Sequence, residues 1–184
     1  MSKIAVVYWS GTGNTEAMAE EIAKVCNADL YHASDFNAEL ISNYQAIAFG
    51  CPSMGGEELE EGEFAPMFDG VKGSLSGKRI ALFGSYDWGD GEWMRTWQAE
   101  CESLGAQMVA DGLIVHLTPD DEGFAACRQL AEQLAAQYIP LRPGSRAQVS
   151  LFERITKNHD STSKRKPQKG QAACVAQALC AFHG

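Results

Sequence analysis

Residues 10–15 read Ser-Gly-Thr-Gly-Asn-Thr, and they lie between an apolar run at 4–9, Ile-Ala-Val-Val-Tyr-Trp, and a segment at 16–23 with the composition of a helix. A strand, a glycine-bearing turn and a helix N-terminus together form a nest of backbone N–H donors at the positive end of a helix dipole. This order of elements predicts a phosphate site. Its expected ligands are the loop amides and the hydroxyl groups of Ser10, Thr12 and Thr15.

The composition of this loop separates it from two other phosphate-binding motifs. No Lys or Arg lies between Lys3 and Lys24, whereas a nucleoside-triphosphate loop places a Lys on the β- and γ-phosphates. The loop also lacks the third glycine of the dinucleotide fingerprint. A loop without cations favours a terminal monophosphate. The alternative is a polar turn in which Asn14 or Thr15 serves only as a helix N-cap.

Strand and helix signals alternate along residues 3–138. The predicted strands are 3–9, 28–32, 44–50, 78–84 and 107–116, and the predicted helices are 14–26, 37–41, 63–71, 91–104 and 120–138. This alternation predicts an α/β fold, a doubly wound parallel sheet of five strands with helices on both faces. Ligands of such sheets bind at the carboxyl ends of the strands. Three unusual loops are therefore expected at one edge: 10–15, 51–57 and 84–91.

The second and third loops carry side chains suited to a flat aromatic ligand. Met54 and Glu57 stand beside two glycines in the second loop, and Trp88 stands among glycines in the third. A Trp in such a loop predicts a flat surface that stacks on the indole. The alternative is a Trp that only covers the edge of the sheet. His116 and Cys51 are interpreted as structural residues, because no catalytic Cys-His or Ser-His-Asp set accompanies them.

Four stretches of the chain together resemble the short-chain bacterial flavodoxins. They are residues 8–15, 50–55, 82–86 and 88–91. The resemblance runs from about residue 3 to about residue 138 and does not include the residues after 140. It implies a flavodoxin-like sheet with strand order 2-1-3-4-5 and one flavin mononucleotide (FMN) bound without a covalent link.

The resemblance also implies roles for individual residues. Met54 and Trp88 are expected to cover opposite faces of the isoalloxazine ring, and Glu57 to accept a hydrogen bond from flavin N3–H. Backbone donors near Asp87 and Gly89 are expected at the N1/O2 edge. The full expected cofactor-binding set is Ser10, Gly11, Thr12, Gly13, Asn14, Thr15, Pro52, Ser53, Met54, Gly55, Gly56, Glu57, Ser85, Tyr86, Asp87, Trp88 and Gly89.

Two positions depart from the family pattern. Asp87 stands where the family commonly has Gly, and Gly56 stands where some members have Asp or Ser. The resemblance implies that a peptide of the middle loop flips with the redox state, and here that peptide joins Gly55 to Gly56. Glycine at both central positions permits type II and type II′ turns without a Cβ penalty. We therefore expect an easy flip and a more mobile loop.

The implied function is that of a low-potential one-electron carrier that shuttles electrons between redox enzymes and turns over no substrate of its own. Acidic residues around the flavin, with no cation nearby, are expected to disfavour the reduced form. These residues are Glu57, Glu58, Glu60, Glu61, Asp87 and Asp90. One alternative is an FMN-dependent NAD(P)H quinone or azo reductase of the same fold, which usually leaves one flavin face open. Another is a non-redox FMN-binding or regulatory module with a basic anchoring tail.

Charge divides the chain into two parts. Residues 1–140 contain seven Lys or Arg and twenty-two Asp or Glu, a net charge of −15, and residues 141–184 carry a net charge of +6. The first part is interpreted as the FMN-binding domain and the second as a basic, disordered tail. An acidic surface repels nucleic acid and favours redox partners with basic docking patches. We expect a monomer.

The remaining signals concern metals, membranes and compartment. Cys174, Cys180 and His183 have no metal-site spacing, so no metal site is predicted. The chain has no apolar stretch of the roughly 20 residues that a membrane span needs. No cleavable apolar segment follows Lys3, and the six cysteines form no C-x-x-C pair. We therefore expect reduced thiols and a cytoplasmic protein.

Overall fold

The computed structural model describes residues 3–136, in which a parallel sheet lies between two layers of helices. The strands are β1 (Ile4–Tyr8), β2 (Asp29–His32), β3 (Ala46–Gly50), β4 (Arg79–Tyr86), β5 (Gln107–Met108) and β6 (Leu113–His116). The helices are α1 (Asn14–Cys26), α2 (Ala38–Ile41), α3 (Phe64–Val71), α4 (Glu92–Ser103) and α5 (Asp121–Ala135). Single turns of 3-10 helix occupy Ala33–Asp35 and Lys72–Ser74.

The strand order is β2-β1-β3-β4-β5, and every strand pair is parallel. This order and the presence of helices on both faces confirm the predicted fold. The prediction of a continuous fifth strand at 107–116 is wrong, because β5 and β6 pair separately with β4. Between them, the Gly112 N–H donates to Gln98 Oε1 of α4 at 2.9 Å. The backbone therefore turns towards α4 instead of continuing the ladder.

Each face of the sheet presents its own set of buried side chains to a helical layer. Towards α1 and α5, the central strands present the small residues Val6, Ala48 and Ala81 together with Phe83, all fully buried. Towards α3 and α4, they present larger residues such as Phe49 and Leu82, also fully buried. Each buried side chain of that size stabilises the fold by about 1.5–3 kcal/mol. Because residues alternate between faces along each strand, both helical layers pack on the same three strands.

The parallel strands bring four loops to one edge of the sheet. β1, β3 and β4 end at the three loops predicted from the sequence, and β6 ends beside them at a fourth loop, residues 117–120. β4 continues through Ser85 and Tyr86, so the third loop begins at Asp87 and not at Gly84 as predicted.

The predicted tail at 141–184 lies outside the described residues, as does the end of the helix predicted at 120–138. Among residues 3–136, no helix is both long and apolar enough to cross a membrane. The same part of the chain contains no cluster of side chains suited to a metal ion. Its four cysteines are free thiols, and they are Cys26, Cys51, Cys101 and Cys127.

Candidate functional site

The first loop ends at Gly13, the N-cap of α1. Gly13 has a φ of +87°, a left-handed conformation that glycine adopts without a Cβ penalty, and no side chain caps α1. The first N–H groups of a helix have no partner within the helix, so an uncapped N-terminus offers donors to an anion. The hydroxyl of Ser10 accepts a hydrogen bond from the Gly13 N–H at 3.0 Å and thereby closes the loop.

Thr15 and Ser85 form a buried pair beneath this loop. Their side chains are 0% and 5% exposed, and their hydroxyl oxygens lie 3.0 Å apart. The Ser85 carbonyl accepts a hydrogen bond from the Ser53 N–H at 2.9 Å. Three expected site residues from three different loops or strands are thus connected. The connection holds the first turn of α1, the end of β4 and the second loop in fixed positions.

The second loop turns sharply between Met54 and Glu58. These residues exchange two backbone hydrogen bonds of 2.9 Å, which enclose the three residues 55–57. Gly55 has a φ of +45°, whereas Gly56 lies outside the left-handed region. Glu57, the last of the three enclosed residues, also has a positive φ of +61°, so two of the three adopt a left-handed backbone. The Met54 side chain is 38% exposed, so it is free to cover a ligand.

Glu57 joins the second loop to the start of α4. Its Oε1 accepts hydrogen bonds from the N–H groups of Gly91 at 2.9 Å and Glu92 at 3.0 Å. Since Gly91 itself provides no side-chain cap, this carboxylate satisfies donors that α4 leaves free. The carboxylate also adjoins Gly89, where an added Cβ would lie 2.5 Å from Glu57 Oε1. Gly89 is therefore required for this approach.

The third loop exposes Trp88 and holds Asp90 in an ion pair. Trp88 is 58% exposed, the highest exposure among the large apolar side chains of residues 3–136. A guanidinium nitrogen of Arg95, in α4, lies 2.6 Å from Asp90 Oδ1. The expectation that no cation lies near the acidic residues is therefore wrong. The hydrogen bond to Asp90, with smaller contributions from Glu57 and Glu92, raises the pKa of the Arg95 guanidinium. One cation therefore offsets part of the acidic charge around the site.

Glu60, another of the expected acidic residues, caps α3. Its carboxylate accepts hydrogen bonds from the N–H groups of Gly62, Glu63 and Phe64 at 2.7, 2.8 and 2.9 Å. Burial alone raises the pKa of this carboxyl, but the three backbone donors outweigh it and lower the pKa of Glu60. Glu57 and Glu60 are thus both engaged at helix N-termini, and the other four acidic residues are exposed.

The end of β6 and the start of the fourth loop contain residues that lie beside the site and that the sequence does not assign to it. His116 Nε2 lies 3.0 Å from the Asp87 carbonyl oxygen, and Thr118 Oγ1 donates to Asn14 Oδ1 at 3.2 Å. Leu117 between them has a φ of +57°. Their position in the chain could have identified them, because they lie where a strand ends, as the other three loops do. The sequence supports only a structural interpretation of His116, and no glycine marks Leu117 or Thr118 as part of a site loop.

Residues 6–130 match the family model described as flavodoxin. The chain belongs to the flavodoxin family. Flavodoxin from Megasphaera elsdenii is 42% identical over 137 residues, which cover 72% of this chain and 98% of that relative. Flavodoxin from Clostridium beijerinckii is 42% identical over 135 residues, which cover 71% of this chain and 97% of that relative.

Solved flavodoxin structures share the fold. The solution structure of two-electron reduced Megasphaera elsdenii flavodoxin has a TM-score of 0.65 and 40% identity, and covers 72% of this chain and 98% of its own. The crystal structure of oxidised flavodoxin 1 from Bacillus cereus has a TM-score of 0.65 and 30% identity. The match covers 72% of this chain and 97% of that structure's chain.

Membership of the flavodoxin family makes this chain an FMN-binding electron-transfer protein, and the reductase alternative is not favoured. Flavodoxins work with redox partner proteins and do not turn over a substrate of their own. The residues present fit FMN. An uncapped helix N-terminus suits its phosphate, and the exposed side chains of Met54 and Trp88 suit the two faces of its ring.

Proposed function

We propose that this flavodoxin is a low-potential carrier of single electrons and that the loops following β1, β3 and β4 hold its FMN. One observation carries the proposal. An uncapped helix N-terminus at Gly13 shares an edge of the sheet with two exposed apolar side chains, Met54 and Trp88. A phosphate and a flat ring on one ligand require this pairing of features.

The proposed cofactor-binding residues have distinct tasks. Residues 10–15 surround the phosphate, Met54 and Trp88 cover the ring, and Glu57 accepts from flavin N3–H through the carboxylate oxygen that α4 does not use. FMN, when bound, accepts and releases electrons one at a time. The remaining members of the proposed set shape the second and third loops: Pro52, Ser53, Gly55, Gly56, Ser85, Tyr86, Asp87 and Gly89.

The charge around the site supports a low potential. The edge of the sheet where β1, β3, β4 and β6 end is called the cofactor edge here. Glu58, Glu61 and Asp87 are exposed at this edge and cap no helix. Their negative charge disfavours added electrons on a flavin nearby, and solvent and Arg95 reduce the effect. Each increment of about 1.4 kcal/mol against the reduced form lowers a one-electron potential by about 59 mV.

We also propose the bounds of the FMN-binding domain, the charge of its docking partners and its oligomeric state. The family match at 6–130 and the net charge of −15 over 1–140 support an acidic FMN-binding domain at 1–140 that meets basic docking patches. The basic segment 141–184, with its net charge of +6, is then a separate part of the chain outside this domain. Three of the five exposed large apolar side chains in residues 3–136 lie at the cofactor edge, namely Met54, Trp88 and Leu117. Within residues 3–136, little exposed apolar surface remains for a subunit interface, which supports a monomer.

A cytoplasmic location is proposed on the thiol chemistry. Four cysteines among the described residues are free, and three of them are buried: Cys51, Cys101 and Cys127. Unpaired cysteines are typical of a reducing compartment.

Anaerobic reductive titration of the full chain loaded with FMN tests the proposed function. We expect two separate one-electron steps in the visible spectrum and no oxidation of NADPH by the isolated protein. A single two-electron step, together with NADPH oxidation, would support the reductase. Failure to bind FMN would contradict the assignment of the three loops.

A further inference from the structure

Three consecutive residues, His116 at the end of β6 and the two that follow it, connect the loop for the phosphate to the loop that carries Trp88. His116 Nε2 lies 3.0 Å from the Asp87 carbonyl, and Thr118 Oγ1 lies 3.2 Å from Asn14 Oδ1. One contact reaches the third loop and the other reaches the first. Asn14 and Asp87 are 73 positions apart in the chain, so residues 116–118 provide a side-chain connection between them that neither loop makes alone.

His116 is held so that one ring nitrogen faces the Asp87 carbonyl. Tyr86 and His116 are partners in the register of β4 and β6, and their rings lie 5.2 Å apart between centroids. The Leu117 N–H donates to the Tyr86 carbonyl at 2.8 Å and extends the ladder by one bond. A carbonyl oxygen only accepts, so Nε2 must carry a proton in this contact. Both the neutral Nε2–H tautomer and the protonated ring meet this requirement.

Leu117 adopts a conformation that its side chain does not favour. Its φ is +57°, and its side chain is 45% exposed. Leucine has neither the missing Cβ of glycine nor the short polar side chain that lets Asn and Asp enter the left-handed region. The contacts of the residues on either side therefore impose this conformation. Strain of this kind is maintained where the surrounding structure fixes the backbone.

We infer that residues 116–118 form a strut between the phosphate loop and the third loop, and that His116 is a positioning residue for Trp88. This inference rests on the proposed FMN site. The Asp87 carbonyl belongs to the peptide that leads into Trp88, so a bond to that oxygen sets the direction of the Trp88 backbone. The length of the ribityl chain limits how far apart the phosphate and the ring of one FMN can be. The spacing between the two loops therefore determines whether both are engaged together.

Four variants of the full chain test the strut. His116→Phe keeps a ring against Tyr86 and loses the donor, whereas His116→Gln keeps a donor. Thr118→Val removes the hydroxyl at similar shape, and Thr118→Ser keeps it. The dissociation constants of FMN and of riboflavin, which lacks the phosphate, are measured for each variant after removal of bound flavin. Urea unfolding of each flavin-free variant verifies that the fold is retained.

We expect His116→Phe to weaken binding of both FMN and riboflavin about five- to tenfold, the effect of one hydrogen bond. Thr118→Val is expected to weaken FMN binding about threefold or more while riboflavin binding changes less than about twofold. His116→Gln and Thr118→Ser are expected to remain within about twofold of the wild type. The Thr118 result is selective because riboflavin does not use the phosphate loop.

Different results would overturn the strut at residues 116–118 and the proposed FMN-binding function. Normal FMN binding by the wild type, with His116→Phe and Thr118→Val both within about twofold of it, would overturn the strut and leave the proposed function intact. Equal loss of FMN and riboflavin binding in Thr118→Val would also overturn it, because the hydroxyl would then act on the ring end. No FMN binding by the wild type would overturn the proposed function, and the strut with it.

Discussion

Glu57 and Gly91 are joined by a hydrogen bond of 2.9 Å, donated by the Gly91 N–H to Glu57 Oε1. Glu57 also has a φ of +61°, which is uncommon for a residue with a Cβ. The bond therefore maintains a strained residue at the end of the Met54 turn. It links the two loops proposed to cover opposite faces of the flavin, so a shift in one loop is transmitted to the start of α4.

Glu57→Ala is expected to lower the free energy of unfolding of the flavin-free protein by about 1–2 kcal/mol, because α4 loses its cap. Glu57→Gln keeps an oxygen acceptor and is expected to recover most of that loss while losing the charge. Urea unfolding followed by circular dichroism gives both values. A Glu57→Ala protein as stable as the wild type would show that water caps α4 equally well.

The glycines of the second loop are expected to differ in their effect on redox potential. Gly55 has a φ of +45°, Gly56 does not have a positive φ, and an added Cβ meets no atom within 4 Å at either position. Gly55→Ala is therefore penalised only through the backbone, by about 1 kcal/mol, and is expected to shift the first one-electron potential by tens of millivolts. Gly56→Ala is the matched control. Spectroelectrochemistry giving the same potential for Gly55→Ala and the wild type would refute the role of this turn.

The two buried tryptophans of α4 are expected to respond differently to replacement by Phe. Trp93 Nε1 donates to the Cys51 carbonyl at 3.3 Å, whereas Trp97 Nε1 is buried without a partner among the residues that the structure describes. Trp93→Phe loses a hydrogen bond and leaves that carbonyl with one partner fewer. We expect it to destabilise the protein by about 1 kcal/mol more than Trp97→Phe. Equal midpoints in thermal unfolding would count against this difference.

Close packing at the end of β4 makes Gly84 irreplaceable. An added Cβ at Gly84 would lie 2.1 Å from the Cys51 carbonyl oxygen, whereas one at Gly70 in α3 would meet nothing within 4 Å. We expect Gly84→Ala to destabilise the fold by about 3 kcal/mol or to prevent folding. Gly70→Ala is expected to stabilise it by about 0.5–1 kcal/mol through helix propensity. Soluble yield and thermal unfolding separate the two, and a well-folded Gly84→Ala protein would contradict the packing.

Stability is expected to fall in alkaline solution because of buried thiols. Burial raises the pKa of Cys51, Cys101 and Cys127 from the ordinary value of 9.0 to about 12 in each case. Since the folded pKa exceeds the unfolded one, the stabilisation is complete below pH 9 and is lost as the pH rises from about 9 to about 12. Each thiol contributes a slope of up to about 1.4 kcal/mol per pH unit. Cys127→Ala is expected to reduce the slope, and an unchanged slope in urea unfolding would refute this cause.

The sequence alone predicted the parts of the fold that local composition determines. The predicted bounds of α1, 14–26, agree with the observed Asn14–Cys26, because Gly13 and Asn27 both take left-handed conformations at its ends. Strand order was available only from the family resemblance, since composition does not order strands. Within the site, the placement of the three loops at one edge followed from strand direction alone.

The rest depended on contacts between residues distant in the chain. The break in the fifth strand arises from a bond between Gly112 and Gln98, and the cation at the site arises from the position of Arg95 one turn into α4. Engagement of Glu57 and Glu60 at helix N-termini likewise requires the packed arrangement of loops. A list of acidic residues in the sequence does not distinguish a capping carboxylate from a free one.

The buried hydroxyl pair of Thr15 and Ser85 leaves the two ends of the cofactor site unequally rigid. The end beside this pair is ordered because Thr15 and Ser85 are only 0% and 5% exposed. Trp88 at the other end is 58% exposed. Engaging an ordered end costs little conformational entropy, and ordering a free indole costs more. We therefore expect FMN to load in two phases: the phosphate docks in a concentration-dependent phase, and Trp88 closes over the ring in a slower phase independent of concentration.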